Sequence, residues 1–169
     1  MEDQTKPKQQ LSKLFQIIKN IDFGMFVTQT ADGSLRSRPM STQIIESDQC
    51  LWFLTDKGST KLLEIADESK VNVSFANPSQ QTYVSVSGIA TITNDSAKLD
   101  EVWTLAAKLW FPEGKSDPKL TMIRVQPTDA EYWDAPQGAF VNLYNLTKAL
   151  VLEARPENEF GENEKVDIP

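Results

Sequence analysis

Twelve consecutive residues, Leu51-Trp52-Phe53-Leu54-Thr55-Asp56-Lys57-Gly58-Ser59-Thr60-Lys61-Leu62, gather the groups of this chain best suited to chemistry. The apolar, aromatic run reads as a strand, Asp56-Lys57-Gly58 as a sharp turn, and Ser59 as the N-cap of a short helix through Ala66. That arrangement points several backbone N–H groups, two hydroxyls (Ser59, Thr60) and the Lys61 ammonium at one spot. A phosphate is the natural occupant, because a helix start offers unsatisfied donors and the positive end of a dipole. On these residues alone, an ordinary capped helix after an ordinary strand explains the pattern equally well. Upstream, Arg36-Ser37-Arg38-Pro39-Met40 falls on the preceding strand, and a hairpin would bring a guanidinium to the same helix start. Arginine supplies planar, bidentate donors that suit phosphate oxygens.

The rest of the composition narrows the chemistry. The 169 residues contain no histidine, which removes Ser-His-Asp and Cys-His catalysis and imidazole metal sites. The acids follow no EF-hand or similar pattern, so no metal site is expected. The single cysteine, Cys50, excludes an internal disulfide, fits a reducing cytosol and reads as a buried small hydrophobe. Net charge is −7; residues 153–169 contribute −4 of it (six acids against Arg155 and Lys165), leaving −3 for the body. Neither value suggests a nucleic-acid footprint, which would need a concentrated basic surface. No apolar stretch approaches the roughly 20 residues of a spanning helix, and no signal peptide is visible, so a soluble, cytoplasmic protein is expected. A chain with few acid–base groups and a phosphate corner is suited to holding a cofactor that brings its own reactivity.

Periodicity supplies the elements that must position these groups. Leu11, Leu14, Phe15 and Ile18 predict an amphipathic helix over 9–19. Strands are predicted at 23–29, 34–45, 50–55, 71–76, 82–93, 120–126 and 130–134, with turns at Ala31-Asp32-Gly33 and Asn77-Pro78-Ser79. Val84, Val86 and Ile89 are core candidates, and Gly88 marks a bulge. A second helix begins at Asn94-Asp95-Ser96 and runs through Leu99, Val102, Trp103, Ala106, Leu109 and Trp110 to Pro112, with the two tryptophans in core or interface. A last helix is predicted from Gly138 to Glu153. Six or seven short antiparallel strands with helical additions fit a small barrel, a mainly β fold. The domain would span 9–153, between a flexible 1–8 and an acidic, mobile tail at 154–169.

Taken together, R-P-M, then W-F-L-T-D-x-x-S-x-K, then the late Tyr132-Trp133-Asp134 resemble the FMN-binding split-barrel proteins, the pyridoxamine 5'-phosphate oxidase-like superfamily. Within it they look like the general stress protein 26 branch, over roughly residues 9–152. The resemblance implies a six- or seven-stranded antiparallel split β-barrel that binds FMN as a homodimer, with flavin at the subunit interface. It assigns the flavin phosphate to Arg38, Ser59 and Lys61, with Thr60 where many relatives carry a second basic residue. Leu54 and Thr55 would lie along the flavin, and Pro39 and Met40 would flank its ring. Trp133 resembles the aromatic residue given by the second subunit. Met40 and Leu54 serve equally well as plain core residues, and Trp133 as interface packing.

Departures from the resemblance limit the activity it implies. The family's oxidase follows its late aromatic pair with an Arg- and His-containing segment that grips the vitamin B6 phosphate. Here Asp134-Ala135-Pro136-Gln137-Gly138 contains neither, and Tyr83 stands where that enzyme has a Gln. Oxidation of pyridoxamine 5'-phosphate is not expected. The leading expectation is a flavin-dependent oxidoreductase of unknown substrate, possible in a stress response. Its alternatives are a flavin carrier or sensor without turnover, or a related barrel for deazaflavin or haem, the latter weakened by the missing histidine.

Overall fold

Alternation of apolar and polar residues builds one continuous antiparallel sheet. The computed structural model describes residues 5–45, 47–134, 162–166 and 168. Helix α1 (Thr5–Ile18) is followed by β1 (Phe23–Gln29), β2 (Leu35–Ser41), β3 (Gln43–Ile45), β4 (Cys50–Asp56), α2 (Thr60–Asp67), β5 (Lys70–Asn77) and β6 (Thr82–Thr93). Then come α3 (Ser96–Val102), two 3-10 turns (Leu105–Leu109 and Gly114–Ser116), β7 (Leu120–Asp134) and β8 (Glu162–Val166). The strand order is β2-β1-β5-β6-β7-β4-β3, and β8 joins β7. β7 organises the sheet: β6 lies along one edge, while β4 and β8 share the other, at its first and second halves.

The sheet curls into a split barrel. Although β5, β6 and β7 separate β1 from β4 in the sheet, Phe26 and Phe53 meet edge-on inside, with centroids 5.0 Å apart. The curl also brings β2 beside β4. Leu11, Leu14, Phe15 and Ile18 of α1 are buried in the same core as Phe26, Phe53, Phe75, Ile123 and Tyr132. Each such side chain contributes about 1.5–3 kcal/mol of gross burial energy. A smaller cluster on the other face of β4 joins Ile45, Cys50, Trp52, Val102 and Met122. The expected bulge lies between Ser87 and Gly88 of β6, opposite the β7 stretch Pro127–Asp129. An added Cβ at Gly88 would stand 2.5 Å from the Gln126 carbonyl oxygen, so only glycine permits this close approach.

Several expectations are corrected. The 34–45 strand breaks at Thr42 into β2 and β3, whereas the two strands at 120–126 and 130–134 are one, β7. With β8, this makes eight strands among the described residues. Helix α1 starts at Thr5, inside the segment expected to be flexible, because Pro7 is tolerated in a first helical turn. The helix expected from Asn94 to Pro112 ends at Val102, with Trp103 and Thr104 extended. Val, Trp and Thr in succession are weak helix formers, and the pattern beyond them winds a 3-10 turn that buries only Ala107. Trp110 is accordingly exposed rather than core. Ile89 also faces out: inward positions on β6 are 84, 86, 88 and 90, so strict period two excludes it. Part of the supposedly mobile tail is strand β8, held by backbone pairing to β7 and by the buried Val166. The helix expected at 138–153 lies outside the described residues.

Candidate functional site

A polar corner forms where β1, β2 and β4 approach the start of α2. Thr28 is an inward position of β1, and β2 lies beside β1 with Thr28 opposite Arg36 and Phe26 opposite Arg38. Arg38 donates from Nη1 to Thr28 Oγ1 at 2.7 Å and from Nη2 to Glu64 Oε2 at 2.7 Å. Arg36 donates to Glu64 Oε1 at 3.1 Å. Glu64, on α2, is buried. Burial alone would raise its pKa, but the Thr28 hydroxyl and the two guanidiniums outweigh that and hold the carboxyl below the ordinary glutamate range.

The turn before α2 places the second half of the corner. Asp56 Oδ1 accepts the Gly58 amide at 2.6 Å, which shapes the turn, and Ser59 occupies the N-cap. The Ser59 side chain makes no cap hydrogen bond; its Oγ accepts from Lys61 Nζ instead. Lys61 Nζ also donates to Thr55 Oγ1 at 2.8 Å. Among the described residues, this ammonium has hydroxyl partners and no direct carboxylate. Its pKa is lowered, first by burial and then by the nearby Arg38 charge, against weaker opposing effects of Asp56 and Glu64. Three cations (Arg36, Arg38, Lys61) therefore share the corner with two carboxylates, and positive charge is in excess. A helix start not capped by its own serine, a half-buried ammonium and a fixed guanidinium form an anion-binding donor set.

Of the residues singled out in the sequence, Arg38, Thr55, Ser59 and Lys61 come together here. Thr60 opens α2 and is exposed. Met40 is buried in the main core. Leu54 points to the opposite face of β4 from Thr55 and packs on the smaller cluster. Pro39 is exposed on the outer face, paired with Met25. Trp133 stands on the outer face of β7, directly opposite Tyr83 of β6, and both rings are substantially exposed. Glu64 and Thr28 were missed. Thr28 was legible as a polar residue at an inward position of β1, and Glu64 as an acid beside the apolar Leu62 and Ile65 of α2.

Cys50 is fully buried, and its thiol is pushed up to about 11, by burial first and then by Asp48. It is an inert core residue rather than a nucleophile. No group of acids and cysteine suited to a metal ion occurs among the described residues. No described helix is long and apolar enough to cross a membrane.

The sequence profile of the family described as pyridoxamine 5'-phosphate oxidase like matches residues 9–157. The chain belongs to this family. It is 29% identical to general stress protein 26 of Bacillus subtilis over 92 residues, 53% of this chain and 65% of that protein. The structure of general stress protein 26 from Jannaschia sp. CCS1 superposes with a TM-score of 0.74, covering 93% of this chain and 97% of that one at 24% identity. The general stress FMN/FAD binding protein of Xanthomonas citri matches at 26% identity, with a TM-score of 0.67 over 78% of this chain and 92% of its own. The chain spans just under two thirds of the length of the curated relatives it matches. Relatives named general stress protein 26 thus recur among both the sequence and the structure matches.

Proposed function

We propose that this protein is an FMN-binding member of the general stress protein 26 branch that holds the flavin phosphate in the corner at the start of α2. One observation carries this reading: Lys61, half-buried beside Arg38, is held by the hydroxyls of Thr55 and Ser59. A desolvated ammonium in positive surroundings is stabilised by an arriving anion. A terminal phosphate monoester, with about −1.5 to −2 charge near neutral pH and three acceptor oxygens, matches that need better than the singly charged phosphates inside a dinucleotide. FMN is favoured over FAD on this ground. The Xanthomonas citri relative, described as FMN/FAD binding, supports a flavin.

The flavin would supply hydride or electron transfer, and the chain's own residues bind and orient it. Arg38, Ser59, Thr60 and Lys61 take the phosphate, and Thr55 fixes Lys61. Homodimerisation through the outer face of the sheet is part of the reading. Phe23, Met25, Tyr83 and Trp133 are exposed there, beside a row of Asn72, Ser74, Ser85 and Ser87 linked by hydrogen bonds. Half-exposed aromatics around a polar row suit a subunit interface that also meets a ligand. A cytoplasmic flavin-dependent oxidoreductase acting under stress is the functional class proposed. Titrating ligand-free protein with FMN, FAD and riboflavin by flavin fluorescence tests it; equal affinity for FMN and riboflavin would refute the phosphate corner.

A further inference from the structure

We propose that Glu64, together with Thr28, holds Arg38 in its phosphate-binding orientation as a positioning residue; this rests on the phosphate-corner reading above. Three groups close a ring of hydrogen bonds. Arg38 donates to Thr28 and to Glu64, and the Thr28 hydroxyl in turn donates to the same Glu64 oxygen. The second carboxylate oxygen is taken by Arg36. Depth orders the group: Glu64 and Thr28 are buried, the Arg38 side chain is 20% exposed, and that of Arg36 is 57% exposed. The carboxylate thus lies behind the guanidinium rather than in front of it. A guanidinium carries five N–H donors, and the ring uses two, so others remain for a ligand.

A buried ion pair rarely outperforms apolar packing in stability, so its net product here is orientation. A long arginine on β2 would otherwise lose rotamer freedom when the ligand binds, and the ring removes that cost beforehand. Glu64 cannot readily leave, because an uncompensated buried charge is strongly disfavoured. Thr28 matters as much as Glu64 in this arrangement, since its hydroxyl links the two charged groups without adding charge of its own.

Two variants of the full chain test the proposal, Thr28→Val and Glu64→Gln, each titrated with FMN and with riboflavin. Thr28→Val keeps shape and charge and removes only the hydroxyl, so it separates positioning from charge. Both variants should bind FMN roughly three- to tenfold more weakly while riboflavin affinity stays near that of the parent protein. Retention of the parent FMN-over-riboflavin preference in either variant overturns the proposal, as does equal weakening of both ligands, which would mark a purely structural role. If the parent protein itself shows no preference for FMN, the phosphate corner fails and this inference with it. A preference that depends on Lys61 yet survives Thr28→Val and Glu64→Gln sinks the positioning role alone.

Discussion

Lys61 Nζ donates to Thr55 Oγ1 at 2.8 Å, so the first turn of α2 is tied back to the strand from which the chain has just come. The bond spans the Asp56-Lys57-Gly58 turn and fixes the ammonium at the mouth of the corner. Lys61→Ala should weaken FMN at least roughly tenfold, from the loss of a charge-assisted contact of about 1.5–3 kcal/mol, and riboflavin far less. Because burial and Arg38 lower the Lys61 pKa, FMN affinity should also begin to fall at a pH below the ordinary lysine value. Fluorescence titrations across alkaline pH check both points. Equal losses for the two flavins would remove Lys61 from the phosphate site.

Glu64 makes stability depend on acid. Burial raises its pKa, but the Thr28 hydroxyl and the two arginines lower it further, so the folded value lies below the unfolded one. The unfolded chain then binds the proton more readily. The resulting stability is complete above the ordinary glutamate range and is lost as pH falls through the lowered folded value. Glu64→Gln should melt below the parent protein at neutral pH, with the gap closing toward pH values beneath the ordinary glutamate range. A gap constant with pH would show that the carboxylate contributes no charge-dependent stability.

Gly88 shows what the sequence could reveal about the fold. A glycine inside an alternating run signals a close backbone approach, and the bulge is where that signal lies. Gly88→Ala would force a Cβ within 2.5 Å of a backbone oxygen and 2.7 Å of Val125 Cγ1. A loss of about 1–3 kcal/mol is expected, read as a lower denaturant midpoint. An unchanged midpoint would mean that β7 yields without cost.

Strands with clean alternation, such as β1, β5 and β6, were legible because one face of each is buried. The β2–β3 break was not, since Ser41-Thr42-Gln43 carries no glycine or proline to mark it. Strand β8 was hidden because Glu162-Asn163-Glu164-Lys165-Val166 is polar, and only its partner β7 makes it a strand. In the corner, Arg38, Ser59 and Lys61 could be read from type and spacing. Glu64 could not be paired with them from sequence alone, because its partners Thr28, Arg36 and Arg38 arrive through sheet register and barrel curvature.

The outer face predicts assembly. Phe23 is 59% exposed and Met25 43%, on the same sheet face as Tyr83 and Trp133. A two-fold dimer burying this face should give about twice the chain mass by light scattering at micromolar concentration. Met25→Glu should shift the protein toward monomer and weaken flavin binding with it. A clean monomer that binds FMN fully would rule out a site shared between subunits.

Reduction by nicotinamide nucleotides separates a reductase from a flavin carrier. Fast hydride transfer needs a donor stacked near van der Waals distance of the flavin, and a dinucleotide needs its own phosphate contacts to stay there. The sequence has no G-x-G-x-x-G motif. Outside the corner, several described lysines are already engaged: Lys98 with Asp48 and Glu101, Lys115 with Asp100, Lys165 with Asp129, and Lys57 with the Pro118 carbonyl. Three of these ammoniums are paired with carboxylates and so are not set out for a pyrophosphate. Bound FMN should therefore be reduced readily by dithionite and slowly by NADH or NADPH. Anaerobic stopped-flow bleaching of the flavin absorbance measures this directly. Fast, saturable bleaching by either nucleotide would overturn the expectation and assign a reductase. Bleaching that is slow and rises linearly with nucleotide concentration would agree with weak, transient encounters and direct the search toward another physiological donor.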